Sequence, residues 1–196
     1  MIIGGDINMD SIKKKYHIIY ADPPWEWKTY STKGRGKTPD RHYPLMTIEE
    51  IRCMGHIIPE ITDNNCILFM WVQDAHLKNA IEIGESWGFI YKTIGFVWDK
   101  QNFGMGYWTR KGAEVCLLFT KGHPKRISGG VRQFISEKVK EHSRKPDNIR
   151  DRIVELMGDL PRIELFARQK TEGWDCIGNG INGKDIRQEL EEMISG

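Results

Sequence analysis

A chain of 196 residues with 39% hydrophobic side chains carries enough apolar content for the core of one domain, and its net charge of +2 excludes a polycation that binds by bulk charge. Four widely spaced cysteines, Cys53, Cys66, Cys116 and Cys176, include no CxxC pair, which excludes a zinc ribbon or disulfide framework and predicts no metal. No apolar run approaches the roughly 18 residues of a membrane span and the first residues lack a secretory pattern, so a cytoplasmic protein without membrane contact is expected.

The chain begins with a glycine-rich lead in which Asp6 and Ile7 either pass under a ligand or belong to a frayed terminus. Residues 16–21, YHIIYA, form a nearly continuous β-prone run, the pattern of a central parallel strand buried on both faces. Asp22, Pro23, Pro24 and Trp25 follow. Neither proline can donate a ladder hydrogen bond, so the backbone leaves the sheet at Asp22. A carboxylate, a proline carbonyl and an indole then stand at a strand's carboxyl end, where open α/β sheets bind ligands. This set suits an exocyclic amine on a nucleobase: carboxylate and carbonyl accept its two N–H bonds and the indole stacks on the ring. The alternative is a plain strand exit with a solvent-facing Asp and a core Trp.

Residues 26–43 are polar and basic without apolar periodicity, a binding loop or lid directly after the motif. Lys33, Arg35, Lys37 and Arg41 in it suit a nucleic-acid backbone. Thr47 and Glu50 make a capping box that opens a helix to about residue 56. Residues 66–72 read as a second buried strand, Asp74 as the cap of a helix with Ala80, Ile83 and Trp87 on its apolar face, and 89–98 as a third strand. Strand, helix and strand predict a parallel βαβ unit with right-handed crossover. Residues 99–112 form a second polar loop carrying Phe103, Trp108 and Arg110, whose aromatics stack on bases, dock on a partner or fold back on the core. Residues 113–120 are a fourth strand.

Further basic clusters lie at 121–132 and 138–152. Pro146 and Asp147 suit the first turn of a helix with Ile149, Ile153 and Met157 on one face, which puts Lys145 at a helix entrance, an anion site or a surface lysine. Residues 162–168 read as a fifth strand, with Glu164 and Arg168 at positions folding does not require to be polar. Residues 173–182 read as a sixth strand and a glycine-rich turn. Glu164, Arg168 and Asn179 are candidates for a ribose diol, or else a surface pair and a turn residue. A helix at 183–196 closes a single domain spanning 1–196.

ADPPW, the segment around Tyr43 to Glu50, LFMWV, HSRKPD, IELFAR and GWDCIGNG occur here in one order. Together they resemble the adenine N6 methyltransferase family of the messenger-RNA methyladenosine writer and its bacterial and phage DNA-modifying relatives. The resemblance implies a Rossmann-like α/β fold, a mostly parallel twisted sheet with helices on both faces, and S-adenosylmethionine as donor. It implies Asp22, Pro23, Pro24 and Trp25 as catalytic and Asp22 also as a neighbour of the donor's amino group. Lys145 matches the lysine of the methionine carboxylate, and Phe166, Arg168, Asn179, Glu164, Asp6 and Ile7 match residues around the rest of the donor. Tyr43 matches a tyrosine of the target pocket, with Trp25, Trp108 and Arg110 as further substrate contacts. Lys170, Thr171 and Gly180 depart from the eukaryotic pattern, which has His, Asn and Gln there. The long basic loop favours a bacterial or phage enzyme acting on DNA before RNA, as a homodimer or paired subunit. A catalytically silent binding subunit and a protein-amide methyltransferase are the rival readings.

Overall fold

A computed structural model describes residues 14–26, 45–104, 106, 108–140 and 144–195. Its centre is a seven-stranded sheet in the order β5-β3-β4-β2-β1-β6-β7, made of β1 Tyr16–Ala21, β2 Thr62–Val72, β3 Ile90–Gly104, β4 Lys111–Lys121, β5 Phe134–Ser136, β6 Arg162–Leu165 and β7 Asp175–Ile177. Six strands share one direction, while β4 runs antiparallel to both β2 and β3. This is the expected Rossmann-like sheet with one difference. β2 and β3 are parallel, as the βαβ pattern predicts, but they are not neighbours, because β4 turns back and inserts between them.

That insertion also corrects the 99–112 loop. β3 runs on to Gly104 and β4 starts at Lys111, so most of the polar segment is an extended hairpin. Its polarity reflects exposure, since ladder hydrogen bonds need no apolar side chains.

Helices cover both faces. On one side α1 Ile48–Cys53, α2 Ile58–Ile61, α3 Leu77–Ser86 and α6 Ile186–Ser195 pack on Ile19, Ala21, Leu68, Met70, Leu117 and Phe119. On the other, α4 Asn148–Met157 sets Ile149, Ile153 and Met157 against Ile18, Tyr20, Phe69, Trp71 and Cys116. The parity of β1 explains the division: Ile18 and Tyr20 point to α4, Ile19 and Ala21 away from it. α5, Asn179–Asn182, is one short helical turn within the expected glycine-rich turn.

Local chemistry sets most ends. Thr47 Oγ1 accepts from Glu50 N–H (3.2 Å) while Thr47 N–H donates to Glu50 (2.8 Å), the expected capping box. Asp74 does not cap α3; it lies in a 3-10 turn, 3.5 Å from Lys111. β6 stops at Leu165, three residues before its expected end, because Phe166 takes a left-handed backbone with φ +62°.

α3 approaches the sheet at Gly84, where a Cβ would lie 2.4 Å from the buried ring of Phe119. Helix propensity alone favours Gly84→Ala by up to about 1 kcal/mol. Here the clash dominates, and the substitution is expected to lower unfolding free energy by about 1–3 kcal/mol in urea titrations.

Candidate active site

The carboxyl edge of the sheet gathers the ends of β1, β2 and β6. β1 leaves the sheet through its two prolines, and the exit is then locked. Trp25 N–H donates to the Pro23 carbonyl (2.9 Å), Met46 N–H to the Pro24 carbonyl (2.9 Å) and Glu26 N–H to the Met46 carbonyl (3.0 Å). The Trp25 indole donates to the Trp71 carbonyl (3.1 Å) and lies parallel to His76, centroids 5.6 Å apart. At 4% exposure Trp25 is not the open stacking platform expected from the motif; it anchors the turn. The Pro23 carbonyl likewise has one lone pair committed.

Asp22 points into the site. Both of its oxygens accept from Lys145 Nζ at 2.8 Å, and the same ammonium lies 3.3 Å from Glu114, whose other oxygen pairs with Lys100. Lys145 also stands over the Trp71 ring at 5.5 Å. The antiparallel course of β4 matters here, because it brings the start of that strand, with Glu114, to an edge otherwise made of strand ends. Burial by itself would raise the Glu114 pKa, but Lys145 and Lys100 reverse the effect and hold it at about 2. Burial by itself would lower that of Lys145, yet Asp22 and Glu114 hold it above the ordinary lysine value. Lys145 is therefore no open anion cradle at a helix entrance. An anionic ligand must share it with two carboxylates.

A second buried pair lies alongside. Arg150 of α4 grips Glu164 of β6 through two hydrogen bonds of 2.6 Å and covers the Tyr20 ring at 5.4 Å. Tyr20 accepts from Trp71 Nε1 (2.7 Å), and burial drives its pKa well above normal. Glu164, expected at a ribose, thus holds Arg150 with both oxygens and keeps only its remaining lone pairs for a ligand.

These groups line a cavity of about 370 Å³ that includes Asp22, Lys145, Glu164, Phe166 and Arg168. A smaller one of about 140 Å³ adjoins it, bounded by Pro24, Met46, Asn179 and Arg187 and sharing Asp22, Phe166 and Arg168 with the first. Phe166 reaches both from its left-handed backbone, a conformation that costs energy in a non-glycine residue and recurs at functional sites.

The glycine-rich turn packs directly under this wall. A Cβ on Gly178 would lie 2.6 Å from Ala167 N, and one on Gly180 2.5 Å from Arg168 Cα. The departure at Gly180 thus has a steric cause: no side chain fits. Glu189 of α6 secures the turn by accepting from Gly178 N–H (3.0 Å) and Asn182 Nδ2 (2.6 Å).

Of the expected site residues, Asp22, Lys145, Glu164, Phe166, Arg168 and Asn179 converge. Trp108 and Arg110 sit at the hairpin tip, Trp108 at 92% exposure. Lys170 and Thr171 line a different cavity, beside Tyr16 and Trp174. Asp6, Ile7, Lys33, Arg35, Lys37, Arg41 and Tyr43 fall outside the described residues. Sequence reasoning missed Glu114, Arg150 and Glu189. Each left one trace, a charge on an inward position: Glu114 shares its strand face with Cys116, and Arg150 sits inside the Ile149 to Ile153 stripe. Among the described residues no group of three potential metal ligands gathers, and no helix is long and apolar enough to cross a membrane.

A family model described as MT-A70 matches residues 16–180. The chain is 38% identical over 191 residues to the type II methyltransferase M.MunI of Mycoplasma sp, covering 89% of this chain and 81% of that one. It is 29% identical over 184 residues to the N(6)-adenosine-methyltransferase catalytic subunit METTL3 of Homo sapiens, and 28% over 192 residues to the N(6)-adenosine-methyltransferase MT-A70-like protein of Drosophila melanogaster. Each of those two is covered over 29% of its own length.

The charge chain carries a pH dependence. Glu114 titrates near 2 when folded against an ordinary 4.5, so its stabilisation is full above about 4.5 and is lost as pH falls toward 2. Lys145, raised above 10.5, contributes fully below that value and loses its contribution only on the alkaline side. Glu114→Gln is expected to cost about 3–5 kcal/mol at pH 7, as for one broken buried pair, and to flatten the fall in Tm between pH 4.5 and 2. Thermal melts across that range, wild type against variant, measure both.

Proposed function

The chain belongs to the MT-A70 family, and from that membership we propose that it is an S-adenosylmethionine-dependent methyltransferase acting on the N6 amino group of adenine in DNA. The observation that carries this reading is Asp22, a carboxylate at a strand end on the wall common to two adjoining cavities. DNA is favoured over RNA by the 38% identity to a type II methyltransferase most of whose length the chain spans.

The donor is a zwitterion with a ribose and an adenine, and the cavity residues fit its chemistry. Lys145 supplies a counter-ion for a carboxylate, Asp22 a neighbour for an ammonium, Arg168 and Asn179 hydrogen bonds for hydroxyl or ring nitrogen, and Phe166 an apolar face. We assign the donor to the joined cavities, the larger of which lies in the usual range of about 300–1,000 Å³ for small-molecule sites. When bound, it supplies an electrophilic methyl group on a sulfonium.

The chain's own part is positioning and electrostatics. Asp22 accepts an N–H of the adenine amine, which draws the nitrogen lone pair out of ring conjugation and aims it. The second lone pair of the Pro23 carbonyl accepts the other N–H. Any share of Lys145 given to a ligand carboxylate is withdrawn from Asp22 and leaves its oxygens to the substrate. Trp25 keeps the turn fixed, and the rest of the target pocket falls to Tyr43 and the basic loop. In a duplex the adenine must first leave the stack, at a few kcal/mol. Trp108 and Arg110 we assign to strand contact, with Asp6 and Ile7 completing the donor site. The same exposed hairpin tip suits pairing with a second copy. A single cytoplasmic domain completes the reading.

Asp22→Ala is expected to lower methyl transfer at least about 10³-fold while donor affinity stays within about tenfold. Lys145→Ala is expected to weaken donor binding by about 10- to 100-fold in calorimetry, and unchanged affinity would remove it from the donor site. Isotope-labelled donor incubated with duplex DNA, single-stranded DNA and RNA is the deciding assay. Label on DNA adenine is expected, label on RNA alone would move the substrate, and donor binding without transfer to any of the three would indicate a silent binding subunit.

A further inference from the structure

Residues 121–144 hold seven Lys or Arg against two acids, a net +5 within a chain whose total is +2, so the remaining residues sum to −3. Charge this concentrated in 24 residues calls for a partner.

The structure gives the segment a course. Ile127 N–H donates to the Leu156 carbonyl (2.8 Å) at the carboxyl end of α4. Midway, the Arg152 guanidinium donates to the carbonyls of Arg132 (2.8 Å) and Phe134 (3.0 Å). Beyond β5, Glu137 N–H donates to Asp99 (3.1 Å) and Val139 N–H to Lys100 (3.3 Å). Lys140 then meets Asp147 at the amino end of α4 (3.1 Å) and, with Arg144, lines the mouth of the larger cavity. The described part of the segment, 121–140 with Arg144, is thus a strap along α4, about 15 Å long, and it ends at the cavity that Asp22 lines.

Apart from Lys121, which donates to Thr62 Oγ1 (2.8 Å), its cations divide into two kinds. Lys140 and Arg144 pair with Glu137 or Asp147. Lys125, Arg126, Arg132 and Lys138 are exposed, and no carboxylate among the described residues pairs with them. Phe134, at 58% exposure, stands among them as an apolar surface. α4 itself contributes exposed Asp151 and Glu155, so the cationic surface is the strap and not the helix.

We propose that this strap is a phosphodiester track that holds the DNA flanking the target adenine and leads it to the mouth of the larger cavity. A strand carries one charge per 3.4 Å of duplex axis, so about 15 Å admits about four nucleotides, matching the four cations that have no carboxylate partner among the described residues. Phe134 adds contact with sugar or base edges. The inference rests on the proposed action on DNA and specifies where the substrate lies relative to the donor.

The test is the combined variant Lys125→Gln, Arg126→Gln, Arg132→Gln, Lys138→Gln, read by fluorescence anisotropy on a labelled 24-base-pair duplex from 50 to 300 mM salt. Loss of four phosphate contacts is expected to raise Kd at least tenfold near 100 mM and to make the slope of log affinity against log salt shallower by about 2–4. Lys78→Gln, on the opposite face of the sheet, should change neither. Wild-type Tm and unchanged affinity for S-adenosylhomocysteine identify a folded variant with an intact donor site. An unchanged salt slope in that variant overturns the track, as does an equal change with Lys78→Gln. Methyl transfer by the wild type is scored separately: DNA binding lost with the strap charges but no methyl transfer would sink the enzymatic reading and leave the track standing.

Discussion

The Asp22–Lys145 ion pair, continued through Glu114 to Lys100, is the contact on which the arrangement of this site depends. It joins residues 123 apart in the chain and ties the exit of β1, the start of β4 and the approach to α4 into one object. A buried ion pair is a poor means of gaining stability, because desolvating both partners costs about as much as their attraction returns, and apolar residues of similar volume often do better. A second such pair, Arg150 with Glu164, lies on the same sheet face. Two expensive pairs in one place argue for selection on chemistry. The first holds Asp22 oriented, with an ammonium beside it that a ligand carboxylate can share.

The sheet supplies the geometry around that pair. With six strands in one direction, the carboxyl edge is where side chains emerge without a ladder partner ahead of them, and β4, running the other way, adds its own beginning there. The wall between the two cavities is made of strained or side-chain-free backbone: Phe166 in the left-handed region, and Gly178 and Gly180 pressed against residues 166–168. Such a wall holds only because neighbours over-determine it. Glu189 on the tail helix is one of them, so α6, which also lines the smaller cavity through Ile186 and Arg187, has a part in the site.

Local rules carried much of the fold. The proline exit after residue 21, the Thr47 and Glu50 capping box, the α4 stripe and the buried run of β2 each follow from chemistry within a few residues, and the structure has them where those rules put them. The strand after β3 was visible as a strand, but its direction and its place between β2 and β3 were not, because antiparallel insertion is decided by which edge is free when the chain returns. The hairpin was hidden for a related reason: a protruding ladder makes its bonds through the backbone and leaves no apolar pattern.

The sequence alone determined the α/β class, the carboxylate at a strand end and the identity of six of the residues that converge on the two cavities, since strand, proline and glycine signals are local and the ordered motifs are specific. Only the tertiary structure decided what state those residues are in. It placed Trp25 inside the turn, closed Lys145 between Asp22 and Glu114, and committed Glu164 to Arg150, each a contact between segments far apart in the chain. A charge pattern read along a sequence counts the ions, and their pairing is set by the distances that folding creates.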